Sequence, residues 1–136
     1  MTETERVARA LTDGTLPKAE WTHEAHLRAG LWHVLTFGEA EAITLLRQRI
    51  ARYNEGVGTA NTDSSGYHET LTVFYVRLIA LFVAAETERD ADVLAGWLIA
   101  RHGHRHLPLR HYSRARLFSV EARRAWVEPD LKQLGA

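Results

Sequence analysis

Apolar positions recur at three- and four-residue spacings along almost the whole chain, the period of helices that bury one face. Val7, Ala8 and Leu11 mark one side of a first helix over residues 4–12, which Asp13-Gly14 and Pro17 stop. Thr22 is placed to cap a second helix running to about Phe37, with Glu24 in the first turn, where negative charge suits the helix dipole, and Gly38 at its end. Ile43, Leu46 and Ile50 define the inner side of a third helix over residues 39–55, with Arg47, Arg49 and Arg52 mostly outside. A fourth helix, over about residues 67–86, is apolar on several sides and therefore central; Asp63, Ser64 or Ser65 can cap it. Residues 90–101 give a fifth, with Val93, Leu94, Trp97 and Leu98 inward and His102-Gly103 at its end. The segment between the third and fourth helices, GVGTANTDSSG over residues 56–66, is a polar, glycine-rich loop long enough to suggest function. After an irregular stretch through Pro108, residues 112–127 supply one or two short helices before Pro129. No strand and no repeat is evident. The pattern predicts an all-α, single-domain bundle over residues 1–136, with about five main helices plus short C-terminal helices.

Composition narrows the function classes. With 136 residues, 46% of them hydrophobic and 25% charged, the chain suits one domain with its own core and is not intrinsically disordered. The longest apolar run, Leu78 to Ala85, is far below the roughly 18 residues that cross a bilayer, so no membrane partner is expected. Glu3, Glu5, Arg6 and Arg9 stand where a signal peptide needs an apolar stretch, and a cytoplasmic location is expected. Without cysteine there is no disulfide and no thiolate, so any metal must be held by nitrogen and oxygen. The zero net charge hides an asymmetry: residues 1–100 carry 9 basic and 14 acidic side chains, whereas residues 101–124 carry seven arginines against Glu121 alone. That basic segment either pairs with the acidic body or forms an anion pocket. With basic residues confined to one region and no recognisable module, nucleic-acid binding is not expected.

The first chemistry-bearing cluster is Trp21-Thr22-His23-Glu24-Ala25-His26. On a helix His23, His26, Gly30 and His33 share one stripe, and imidazoles three residues apart can converge on one ion. Gly30 lets a ligand or another helix approach closely. The plainer alternative is that these histidines cap backbone groups or meet solvent. The second cluster, Tyr67-His68-Glu69-Thr70-Leu71-Thr72, follows the glycine-rich loop. His68, Thr72 and Tyr75 share a stripe, while Glu69 is turned about 100° away. Glu69 therefore reads as a partner to a ligand, as a proton carrier, or as a first-turn carboxylate paired with an arginine; the plainer alternative for this cluster is a dipole-favourable Glu69 and a capping His68. Together the clusters allow three imidazoles, His23, His26 and His68, to hold one divalent transition metal (Fe, Zn, Cu or Ni) with positions left for water or substrate.

These motifs also resemble those of a widespread, largely uncharacterised family of small bacterial helical proteins. The matching residues are Trp21, His23 and His26; Tyr67, His68, Glu69, Thr70 and Thr72; Tyr112 and Ser113; Ala122 and Arg123; and Pro129, Asp130 and Leu131. The resemblance spans most of the chain and implies a helical architecture with a His-centred site; it carries no activity with it.

A third segment alternates His102, His104 and His106, but Gly103 and Pro108 mark it as a solvated loop rather than a strand-borne His-x-His pair. Arg110, Arg114 and Arg123, with Tyr112, can bind a carboxylate or phosphate through forked hydrogen bonds, or pair with the acidic body. Phosphate-binding glycine loops, HExxH and the nucleophile elbow are absent. The expectation is a small metalloenzyme acting on a small polar molecule, with His23, His26 and His68 on the metal. Glu69 and Tyr67 are its catalytic candidates, and Thr72, Tyr112, Arg110 and Arg123 its substrate-binding candidates. Oxidation would suit Fe or Cu, and hydrolysis or lyase chemistry Zn. The alternatives are a non-catalytic module binding a metal, haem or small ligand, and a metal-free protein-interaction domain.

Overall fold

The computed structural model describes residues 1–135, and its regular elements are all helical. They are α1 (Glu3–Asp13), α2 (His23–Phe37), α3 (Glu39–Gly56), α4 (Glu69–Ala84), α5 (Ala91–His102) and the short α6 (Arg114–Leu117) and α7 (Val120–Arg124). Tight 3-10 turns occupy Lys18–Glu20 and Leu107–Arg110. The chain is a helical bundle, as the apolar spacing predicts, and its boundaries follow from local chemistry. Thr22 caps α2 by accepting from the Ala25 amide, and Asp90 caps α5 by accepting from the Val93 amide. Gly14 takes the left-handed conformation at φ 75° that closes α1.

Two features differ from the sequence expectation. α4 starts at Glu69, because His68 itself is the cap: its Nδ1 accepts from the Leu71 amide at 3.1 Å. Asp63 instead holds Arg124 in a two-point ion pair, and the Ser65 hydroxyl donates to the Ala60 carbonyl. In α5, Leu94, Ala95 and Leu98 are buried, but Val93 and Trp97 face out, and the Arg101 guanidinium lies 5.6 Å from the Trp97 ring. Val93 and Trp97 form an exposed stripe beside the buried one, and no helix among the described residues covers it.

α2 is the hub and packs on α1, α3, α4 and α5. Its Ala25, Leu27, Leu31 and Val34 join α1, α3 and one side of α4 in the larger core. A second, smaller core forms under the C-terminal segment around Phe74, Tyr112 and Leu117. α4 therefore has apolar neighbours on two sides: Val76 and Ile79 face the first core, Phe74 and Leu78 the second. The glycine-rich loop is tied down by Asn61. Its Oδ1 accepts from the Tyr67 amide and from Asn54 Nδ2, and its Nδ2 donates to the Ala51 carbonyl. Gly66, at φ 78°, lies so close to Asn61 that a Cβ there would come within 2.6 Å of that same Oδ1. The loop's length is thus used to deliver Tyr67 and His68 to the start of α4.

Candidate functional site

The N-terminal ends of α2 and α4 open onto one cavity of about 580 Å³, walled by α2, α3, α4, the glycine-rich loop and the turn after α5. Its body is apolar, with Leu27, Leu46, Ile50, Leu71, Val76 and Ile79 in the wall. The polar groups gather where α2 begins. His23 and His26 line the cavity, as do His68, Thr72 and Tyr75 of the α4 stripe, and Tyr67. A mostly apolar hollow with a few convergent polar groups is the usual form of a small-molecule site.

His26 is held on two sides. Its ring stacks on Trp21 at 3.7 Å between centroids, and its Nδ1 sits 2.7 Å from the Thr22 carbonyl, which fixes the proton on Nδ1. Nε2 is left with its lone pair. Crowding by protein lowers the imidazole pKa, the Thr22 carbonyl opposes this and His23 adds to it; because the ring keeps solvent contact through the cavity, the shift is moderated. His23, three residues earlier, packs edge-on against Tyr75 with centroids 5.7 Å apart. Its Nε2 and the Tyr75 hydroxyl are both closed to solvent and without a hydrogen-bond partner among the described residues. Such orphaned groups typically cost about 1–3 kcal/mol each. Burial lowers the His23 pKa, the nearby charge of Arg105 lowers it further, and Glu24 and the Gly103 carbonyl oppose both. Both shifts favour the neutral imidazole.

His68 lines the same cavity but is fully engaged. Nδ1 accepts from the Leu71 amide, so Nε2 carries the proton and donates to the Leu117 carbonyl at 2.8 Å. It has no lone pair to offer a metal in this arrangement. Among the described residues no three His, Asp or Glu side chains come together as a ligand set. Glu69 points elsewhere as well: its carboxylate accepts from Arg47 Nε at 3.0 Å and Nη2 at 2.5 Å, and from the Tyr67 hydroxyl at 2.6 Å. Burial pushes its pKa up, but Arg47 and Tyr67 outweigh that and hold it below the usual value. The tyrosine in turn is raised by burial and by this carboxylate.

Comparison of the chain with protein-family models, with curated proteins and with solved structures finds no match.

The remaining predicted residues are distributed as follows. Thr72 lines the cavity, with its hydroxyl donating to the His68 carbonyl. Arg123 is committed to the loop, donating from Nη1 to the carbonyls of Gly66 and Tyr67. Tyr112 is fully buried in the second core, where its hydroxyl donates to the Val127 carbonyl at 2.6 Å. Arg110 is exposed and lies outside the cavity. His33 also lies outside it, buried and bonded to Ala29 and Arg49. In the histidine-rich turn, His104 and His106 pack side by side at 5.6 Å, and neither lines the cavity. Several cavity residues were not singled out as ligand contacts by sequence reasoning, Tyr75 and Arg105 among them. Tyr75 carried a signal, its shared stripe with His68 and Thr72. Arg105 carried none beyond its place in the basic segment.

Proposed function

We propose that this protein binds a small organic molecule in the cavity between α2, α3 and α4, with the neutral imidazoles of His23 and His26 meeting the ligand's polar part. The observation that carries this reading is the cavity itself, an apolar hollow of about 580 Å³ with its unsatisfied polar groups gathered at one end. Support for the division of labour comes from how each motif is used. The Tyr67–Thr72 cluster spends its polar atoms on the fold, whereas His23 and His26 each leave an imidazole nitrogen without a hydrogen-bond partner among the described residues. His26 Nε2 is an acceptor of fixed orientation, able to take a hydrogen bond or a proton from a bound molecule. With its pKa depressed it is a weak base, better suited to holding a ligand's N–H or O–H than to keeping a proton.

A second reading is that His23 and His26 carry one divalent transition metal, completed by water or the ligand. It is favoured by one detail: the carbonyl of Thr22 orients His26 through Nδ1, the kind of support that metal-bound imidazoles receive. Metal retained in His68→Ala and lost in His26→Ala would favour it. A haem held between histidines of α2 and α4 is disfavoured, because His68 has both nitrogens engaged.

The test is a fragment screen by saturation-transfer NMR on the wild-type chain and on Ile50→Trp. Ile50 is half-buried in the cavity wall, and a tryptophan there takes up the space while leaving the motif residues unchanged in sequence. Fragments that bind the wild type and are lost from a folded Ile50→Trp support the reading. Binding that survives the substitution, or no binding at all, overturns it.

A further inference from the structure

We propose that the cavity's ligand is an organic monoanion, a carboxylate carried on an apolar body, with the carboxylate held by Arg105. The inference rests on the small-molecule reading above and narrows it to a chemical class. Arg105 is the one charged side chain among the cavity-lining residues; no Asp or Glu lines it, and Glu69 is turned away onto Arg47 and Tyr67. Of the other arginines in this part of the fold, Arg110 is unpaired among the described residues but lies outside the cavity, and three more are occupied. Arg101 pairs with Glu86, Arg124 with Asp63, and Arg123 with two loop carbonyls. Arg105 makes neither a hydrogen bond nor an ion pair among the described residues, so its fork of donors is open.

Two further features give the same sign. Thr22 and His68, the caps of the 15-residue α2 and the 16-residue α4, both line the cavity, which places the electropositive ends of two long helices at one wall. Arg105 and His23 both line this cavity, so guanidinium and imidazole face the same hollow. A cationic ligand would find no counter-charge there. A phosphate dianion would find one guanidinium for two charges, whereas a carboxylate is matched by a single forked pair. The opposite wall, with Leu46, Ile50, Val76 and Ile79, then takes the apolar body.

The test is calorimetric titration with straight-chain carboxylates from butanoate to decanoate and with 4-phenylbutanoate, each beside its neutral primary alcohol. The wild type, Arg105→Gln and Arg110→Gln are compared; both arginines are exposed and make no side-chain hydrogen bond or ion pair among the described residues, so neither substitution removes one. The expected result is a carboxylate preference of at least about tenfold in wild type and Arg110→Gln, falling to within about twofold in Arg105→Gln. Equal binding of acid and alcohol, or a preference undiminished in Arg105→Gln, overturns the anion inference and leaves the small-molecule reading standing. No binding by any member at millimolar concentration overturns both.

Discussion

Replacing Glu69 with alanine lowers the stability of the protein by about 3 kcal/mol, with a melting temperature roughly 10 °C lower, while a folded sample keeps its ligand binding. The carboxylate is 8% exposed and accepts three hydrogen bonds, two from Arg47 and one from the Tyr67 hydroxyl. Charge-assisted bonds of this kind contribute about 1.5–3 kcal/mol, and an orphaned hydroxyl costs about 1–3 kcal/mol more. The full cost of stranding a buried charge does not apply, because the Arg47 side chain is about half exposed and returns to water. Glu69→Gln keeps an acceptor for Tyr67 and falls between the two. Urea unfolding of the three proteins, with ligand titration on each, checks this. A proton carrier would give the opposite split, with stability kept and turnover lost.

Acidification has the next largest effect, and His33 is its main source. The residue is fully buried between α2 and α3; Nδ1–H donates to the Ala29 carbonyl at 2.7 Å, and Nε2 accepts from Arg49 Nη1 at 2.7 Å. Burial pushes its pKa down to about 4; the Ala29 carbonyl opposes the shift, and the Arg49 charge adds to it. A proton on Nε2 would meet the arginine's own N–H. The folded state thus binds fewer protons than the unfolded chain, whose histidine titrates near 6.5, so His33 contributes its full stability above that pH and loses it as pH falls toward 4. At pH 5.0 the loss from this residue is about 2 kcal/mol. Denaturation at pH 7.5 and 5.0 measures it, and His33→Gln should lose about 2 kcal/mol less than wild type over the same interval. A variant with the same pH dependence as wild type would remove His33 as the source.

The helices were legible because their signals are local. The three- and four-residue apolar spacing, the cap Thr22 and the stop at Gly14 all act within a few residues. The role of the Tyr67–Thr72 motif was legible only where it is local or generic, in a capping His68 and an arginine-paired Glu69; its remaining partners are remote. Thr70 Oγ1 donates to the Ala125 carbonyl and accepts from the Val127 amide, and His68 reaches Leu117. The C-terminal motif residues close the same clasp: Tyr112 bonds Val127, the Ser113 amide donates to Asp130, and the Leu131 amide donates to the His111 carbonyl. Much of what reads in sequence as site chemistry therefore fastens the C-terminal segment to α4. The α2 stripe shows the complementary limit. His23, His26, Gly30 and His33 do share a face, but ten residues of helix span roughly 15 Å. The Ile79 side chain packs against Gly30, where a Cβ would come within 2.8 Å of its Cδ1, and His33 lies beyond this closure.

The central claim is that the start of α2 is where a ligand is met, and histidine resonances test it most directly. With the eight imidazoles labelled with 13C, the strongest-binding fragment is titrated while each Cε1–H signal is followed. The account predicts that His23 and His26 move with saturation, His68 less, and His33, His104 and His106 not at all. Movement confined to His104 and His106, or no movement at His23 and His26, would contradict it.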